Sequence, residues 1–189
     1  MTDGDCARRR RGASCRCRGS RAAVPALWVD VPASCTLPDL HDVLQVAVGR
    51  TDSHLHQFVA EEASYGVPDR DGWQGQRDEA GVRLTDLPGR FIYVYDFGDG
   101  WEHEVEVLGS GGGQPGCVDG GDAAPPEDCG GPYGYAELLR ALADPEHVDH
   151  DRCRGSSSDS GRLLWAATPP SHHDLPPGLQ TATKVASGE

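Results

Sequence analysis

The sequence predicts a single small α+β domain: a mainly antiparallel sheet with a central hairpin over about residues 90–108, and two helices packed on it. Three observations carry that expectation. Phe91 to Phe97 is rich in aromatic and β-branched residues, and beyond Gly98-Asp99-Gly100 the residues Trp101, His103, Val105 and Val107 alternate with Glu102, Glu104 and Glu106. Two other segments, Leu40 to Ala47 and Tyr135 to Ala143, carry apolar residues at helical spacing. The 25 glycines and 14 prolines divide the rest into loops without reaching low-complexity levels.

In chain order, residues 1–27 are Arg-, Cys- and Gly-rich, lack a hydrophobic period and are expected to be a disordered basic tail. A short strand then runs through Leu27-Trp28-Val29-Asp30-Val31 and closes at Pro32. Thr36 is placed as a helix N-cap, with Asp39 three residues on as a short variant of the capping box. Leu40, Val43, Leu44 and Ala47 make that helix's buried stripe, and Gly49 stops it. His54 to Val59 suits a strand with His54, His56 and Phe58 on one face. The polar stretch from Tyr65 to Ala80, which contains Trp73, reads as a loop, and Leu87-Pro88-Gly89 as a turn.

The hairpin comes next. Phe91 to Phe97 is apolar on both faces, as in a central strand. Gly98-Asp99-Gly100 can supply the positive φ angles of a tight loop. The second strand then has one buried face and one lined with carboxylates. Residues 109–132 read as a Gly/Pro loop. The second helix, Tyr135 to Ala143, puts Leu138, Leu139 and Leu142 on one side and ends at Asp144-Pro145. Ser156-Ser157-Ser158, Pro169-Pro170 and Pro176-Pro177 mark residues 154–189 as a disordered Ser/Pro-rich tail. The ordered domain is then 28–153, of which roughly 120 residues suffice for one modest core.

Charge narrows the function classes. The formal net charge of −13 is unevenly spread: residues 1–21 hold seven arginines against Asp3 and Asp5, whereas Asp30 to Asp151 hold 25 acids and six arginines. So acidic a body repels phosphate backbones, and screening weakens that repulsion without reversing it. Direct nucleic-acid binding by the body is therefore not expected; a basic protein such as a transposase is the expected partner. No apolar run approaches the roughly 20 residues that span a bilayer, and no apolar stretch of a secretory signal follows the first arginines. Seven cysteines without an export signal fit a reducing, cytoplasmic setting and free thiols. Cys15 and Cys17 flank one residue, not the two of a zinc knuckle, and Cys117 and Cys129 meet only if their loop folds back.

Four motifs follow one another in the body: Leu40-His41-Asp42-Val43-Leu44-Gln45, His54-Leu55-His56-Gln57-Phe58, Tyr95-Asp96-Phe97-Gly98-Asp99-Gly100-Trp101-Glu102-His103, and Pro125-Pro126-Glu127-Asp128-Cys129-Gly130-Gly131-Pro132-Tyr133-Gly134. With Leu142-Ala143-Asp144-Pro145-Glu146-His147 they span residues 31–151 and resemble the plasmid Ri open-reading-frame-three-like family, also described as TnpR-like insertion-element passenger proteins. The resemblance implies a compact α+β fold, a mobile-element setting and no established activity. It does not imply a resolvase, which needs a nucleophilic Ser in an arginine-rich pocket and a basic DNA-reading module. This chain departs from the family's pattern at Ala124, where a cysteine often precedes Pro-Pro-Glu-Asp, and in the Ser- and Pro-rich sequence after residue 154.

The motifs gather His54, His56, Asp96, Asp99, His103, Glu127 and Asp128. Two imidazoles at i and i+2 on a strand lie side by side, a spacing that suits metal ligation. His103, on the apolar face of its strand, needs a partner such as a carboxylate. His54, His56 and His103 are therefore the candidate ligands of a divalent metal, and Asp99, His103, Glu127 and Asp128 the candidate catalytic residues. Such a metal would activate water for hydrolysis. Each residue also has a structural role open to it. Asp99 can shape the turn, His103 can pair with Asp99 as a buried hydrogen bond, and Glu127 and Asp128 can cap the second helix or its loop. Two functions thus stand side by side: an acidic protein-interaction module accessory to a mobile element, or a metal-dependent hydrolase or nuclease using the His/Asp/Glu cluster.

Overall fold

The computed structural model describes residues 13–19, 27–32, 34–68, 75–110, 116–120 and 125–159. Their strands are β1 (Ala13–Gly19), β2 (Leu27–Val31), β3 (His56–Ala60), β4 (Ala63–Gly66), β5 (Arg77–Asp78), β6 (Arg90–Tyr95), β7 (Trp101–Ser110) and β8 (Gly116–Gly120). They form one sheet in the order β5-β4-β3-β6-β7-β1-β2-β8, with every neighbouring pair antiparallel except β4 and β5. The helices are α1 (Leu37–Val48), α2 (Gly131–Ala143) and α3 (His150–Asp159). This is the α+β class that the periodicities predict. No helix among the described residues is long and apolar enough to cross a membrane.

The β6–β7 hairpin lies mid-sheet, with Tyr95 opposite Trp101 and Phe91 opposite Val105. Phe91, Tyr93 and Tyr95 on β6, and Trp101, His103 and Val105 on β7, are all buried. In the intervening turn the left-handed conformation is taken by Asp96 (φ 57°) and Gly100 (φ 66°) rather than by Gly98. Asp96 tolerates it because its Oδ1 accepts the N–H groups of Gly98 and Asp99 at 3.0 and 3.2 Å, an Asx turn.

Helix α1 forms as its ends dictate. The Thr36 Oγ1 accepts the Asp39 N–H while the Asp39 carboxylate accepts the Thr36 N–H, and Gly49 closes the helix at φ 74°. Leu37, Leu40, Val43, Leu44 and Ala47 join Val29, Val31, Phe58 and Phe91 in the core. Full burial of a large apolar side chain stabilises by about 1.5–3 kcal/mol. The same helix also buries two polar side chains, His41 and Gln45.

Some expectations change. Residues 13–19, read as part of the basic tail, form β1 between β2 and β7. Polar residues and cysteines in that stretch give no strand signal of their own; its order comes from hydrogen bonding to strands on both sides. The Gly/Pro stretch 109–132 contains β8, which is held by pairing with β2. The loop of Tyr65 to Ala80 contributes the short β5, while Trp73 lies outside the described residues. Helix α2 begins at Gly131, with Pro132 in its first turn, so its buried residues are Gly131, Tyr135 and Ala141 while Leu139 is exposed. The chain beyond Cys153 continues as α3 to Asp159, past the expected boundary, and residues 160–189 are outside the described part.

Candidate metal centre

The turn of the hairpin, the segment leading into β3 and the loop before α2 meet at one place. The Gly130 N–H donates to Asp99 Oδ2 at 3.2 Å. Gly131 lies so close that a Cβ there would be 2.3 Å from the Asp99 carbonyl oxygen, and its φ of 67° independently favours glycine. Glu127 fastens the same loop from the other side. Its Oε2 accepts Arg50 Nη1 at 2.9 Å, and its Oε1 accepts the Thr51 N–H at 3.0 Å and the Tyr95 hydroxyl at 3.2 Å. Arg50 is buried, with its guanidinium 4.9 Å from the Trp101 ring centroid and 5.5 Å from that of Tyr95. Burial, then the Glu127 charge, pushes Tyr95 up to about 12, so its hydroxyl keeps the proton it donates. Asp99 and Glu127, candidates for catalysis, are thus engaged as positioning residues.

Between these anchors stand His54, Asp96 and Asp128. The His54 Nε2 is 3.2 Å from Asp128 Oδ1 and 3.7 Å from Asp96 Oδ2. That nitrogen is buried and makes no hydrogen bond. Asp96, only 6% exposed, spends Oδ1 on the turn and leaves Oδ2 facing His54. Asp128 is exposed and adopts φ 54°. One imidazole nitrogen and two carboxylate oxygens, all within 4.8 Å of one another, make a ligand set for a divalent cation. Asp128 also lines a cleft of about 500 Å³, together with Cys129, Leu138, Ala141, His147 and Arg152.

The structure does not bring His56 or His103 to this point. The two-residue period of a strand holds only within it, and β3 starts at His56, so His54 is not on the shared face. His56 instead turns into the core, where its Nε2 is 3.1 Å from both oxygens of Glu79. His103 lies 5.8 Å from the Tyr93 ring, 3% exposed, with no hydrogen-bond partner on Nδ1. Burial, then the Arg50 charge, pushes it down to about 4, so it is neutral at pH 7. The expected His103–Asp99 couple does not form, because Asp99 belongs to the turn and faces Gly130.

Other residues enter that the motif reading left without a role. Arg50, one place past the helix stop, carries no signal in the sequence. His41 does carry one: a histidine inside the apolar stripe of α1 must find a polar partner in the core. On the glutamate row, Glu106 is ion-paired with Arg16 of β1 and with Arg90 of β6. Among the described residues, Cys15, Cys35, Cys129 and Cys153 form no disulfide; burial pushes Cys15 up to about 12 and Cys129 up to about 11, which makes both poor nucleophiles. The side chain of Cys117 lies outside the described part.

Comparison with known proteins identifies one family and two relatives. The model of the plasmid pRiA4b ORF-3-like proteins matches residues 23–165. The uncharacterised protein y4hQ of Sinorhizobium fredii (strain NBRC 101917 / NGR234) is 40% identical over 147 residues, 70% of this chain and 75% of that protein. Among solved structures, MM3350 of Methanosarcina mazei Go1, a protein of unknown function, superposes with a TM-score of 0.63. It is 29% identical, over 75% of this chain and 86% of that one.

Proposed function

The chain belongs to the plasmid pRiA4b ORF-3-like family, and from that premise we propose that it is a metal-dependent hydrolase in which His54, Asp96 and Asp128 hold a divalent cation at the lip of the cleft. The observation that carries this is the His54 Nε2: buried, without a hydrogen bond, and flanked by two carboxylate oxygens at 3.2 and 3.7 Å. A cation between them would satisfy all three groups. One nitrogen and two oxygens suit Mn²⁺ or Mg²⁺ better than a thiophilic ion. When bound, the ion supplies Lewis acidity and lowers the pKa of a coordinated water.

The protein's own groups supply the rest. Glu127 and Asp99 fix the loop that carries Asp128, and the Asx turn fixes Asp96. A cleft of about 500 Å³ suits a small molecule; Arg152 at its wall is paired with Asp149 at 2.9 Å, and Asp128 and Glu137 line the same cleft. Docking of a basic protein, the other function read from the sequence, draws on the net charge of −13 and on the carboxylate face of β7, where Glu106 is already paired within the chain.

Titration with Mn²⁺, with free ion followed by electron paramagnetic resonance, tests the site. Binding is expected to weaken by about tenfold or more in Asp96→Asn and Asp128→Asn. Wild-type protein is expected to turn over a member of a panel of small esters and phosphoesters only when Mn²⁺ is present. No Mn²⁺ uptake removes the site; uptake with no turnover across the panel removes the hydrolase.

A further inference from the structure

Buried polar groups that find no partner gather at one place in the core. Among the described residues, five buried side-chain nitrogens make no hydrogen bond: the His54 Nε2 of the cleft, and Arg50 Nε, Arg50 Nη2, Trp101 Nε1 and His103 Nδ1. The last three residues are neighbours. Trp101 and His103, two apart on β7, lie on the same buried face of the sheet. The Arg50 guanidinium lies over the Trp101 ring at 4.9 Å, and after burial its charge is what lowers the proton affinity of His103. The Arg50 side chain is only 3% exposed. Glu127 and the Pro126 carbonyl engage its Nη1 alone.

The two unpaired nitrogens of Arg50 form one edge. In a planar guanidinium the Nε–H and one Nη2–H are parallel and point the same way, while Nη1 opens on the other side. From this geometry we propose that the Nε–Nη2 edge of Arg50 holds a small monoanion of the carboxylate class, the size of formate or acetate, in the core against β7. Both bonds come from a single rigid group, so they converge on one pair of oxygens wherever the neighbouring rings stand. An acceptor with two oxygens meets both N–H groups along their axes, whereas a single-atom ion meets them only off axis. Such charge-assisted bonds are roughly twice as strong as neutral ones, and they remove the cost of a buried guanidinium with one edge unmet. Charge narrows the ligand further. Glu127 already offsets the guanidinium through Nη1, so each charge added at the other edge is uncompensated, and a dianion costs more than a monoanion. Pro126 and Glu127 both hold Arg50 and line the cleft, so the anion reaches the fork past that one loop. No residue of the cation site takes part, and the inference stands without the hydrolase reading.

Formate is the probe, replacing chloride around the full chain at constant ionic strength. In isotope-labelled wild type, one arginine Nε–H resonance is expected to shift as formate is added and to saturate at a single dissociation constant. The urea midpoint is expected to rise over the same range, since the ligand binds only the folded state. Arg50→Lys keeps the charge and loses the fork. It is expected to remove that resonance and to weaken formate binding by about tenfold or more. Should Arg50→Lys not fold, the wild-type resonance and midpoint decide. Asp128→Asn is expected to bind formate as wild type does, which separates this site from the cation site. The inference is overturned if no arginine Nε–H responds to formate, the edge then being met by water or packing alone. An equal response to chloride or sulfate overturns it too, as does a midpoint shift of the same size in Arg50→Lys.

Discussion

Replacing Glu127 by Ala removes the acceptor for Arg50, Thr51 and Tyr95 at once and leaves a guanidinium in the interior without its counter-charge. The Arg50 side chain is 3% exposed and that of Glu127 14%. An exposed pair would contribute at most about 1 kcal/mol. Breaking a buried one costs about 3–5 kcal/mol, because the remaining charge cannot reach water. The faces of Trp101 and Tyr95 still attract the guanidinium, by up to about 2 kcal/mol in a desolvated setting, which holds the loss toward the lower end. Thr51 is exposed and regains water. A net destabilisation of about 3–4 kcal/mol is expected. Glu127→Gln keeps an oxygen for Thr51 and Tyr95 and loses only the charge, and is expected to cost about half as much. Urea denaturation followed by tryptophan fluorescence gives both values, read at unchanged m. A double-mutant cycle with Arg50→Met is expected to show coupling of about 2 kcal/mol or more. A cost below about 1 kcal/mol for Glu127→Ala, or additivity in the cycle, refutes the clamp.

Two further outcomes follow from the same geometry. His103 is neutral in the folded protein down to about pH 4, whereas in the unfolded chain it takes up a proton near its ordinary value of 6.5. The unfolded state therefore binds more protons between these values. His103 thus lowers stability as pH falls through that window, by roughly 3 kcal/mol at about 1.4 kcal/mol per pH unit, and adds no further loss below it. Urea midpoints across pH 4 to 7 are expected to be flatter in His103→Phe than in wild type, and equal slopes would contradict the assignment. Gly131→Ala forces a Cβ to within 2.3 Å of the Asp99 carbonyl oxygen at a positive φ. It is expected to destabilise by about 1–3 kcal/mol and to weaken Mn²⁺ binding by displacing Asp128; unchanged stability would show that the two loops are not in contact.

Helix α1 and the central hairpin were legible because their signals are local. Thr36, Asp39 and Gly49 mark the ends of one 12-residue helix, and the alternation from Trp101 to Val107 marks one strand by its own period. Strand β1 was not legible, since Cys15 and Arg16 become strand residues through the strands on either side of them. Asp128 was legible from its motif as a candidate catalytic residue, but its place beside His54 was not. Grouping His54 with His56 was wrong, since a period of two does not extend past the start of β3.

Residue types and short-range spacing alone established the α+β class and the acidic body, and singled out His54, His56, Asp96, Asp99, His103, Glu127 and Asp128 as the candidate side chains. Which of them meet is a matter of long-range packing. His56 turns inward to stack on His41, Asp52 reaches His41 from the surface, His54 meets Asp96 and Asp128, and Glu127 is committed to a buried arginine. Those pairings link residues 11 to 77 positions apart, where no period or cap constrains the distance. They are decided by the need of buried charges and polar atoms for partners in the core, a need that His54 Nε2 and His103 Nδ1 leave unmet.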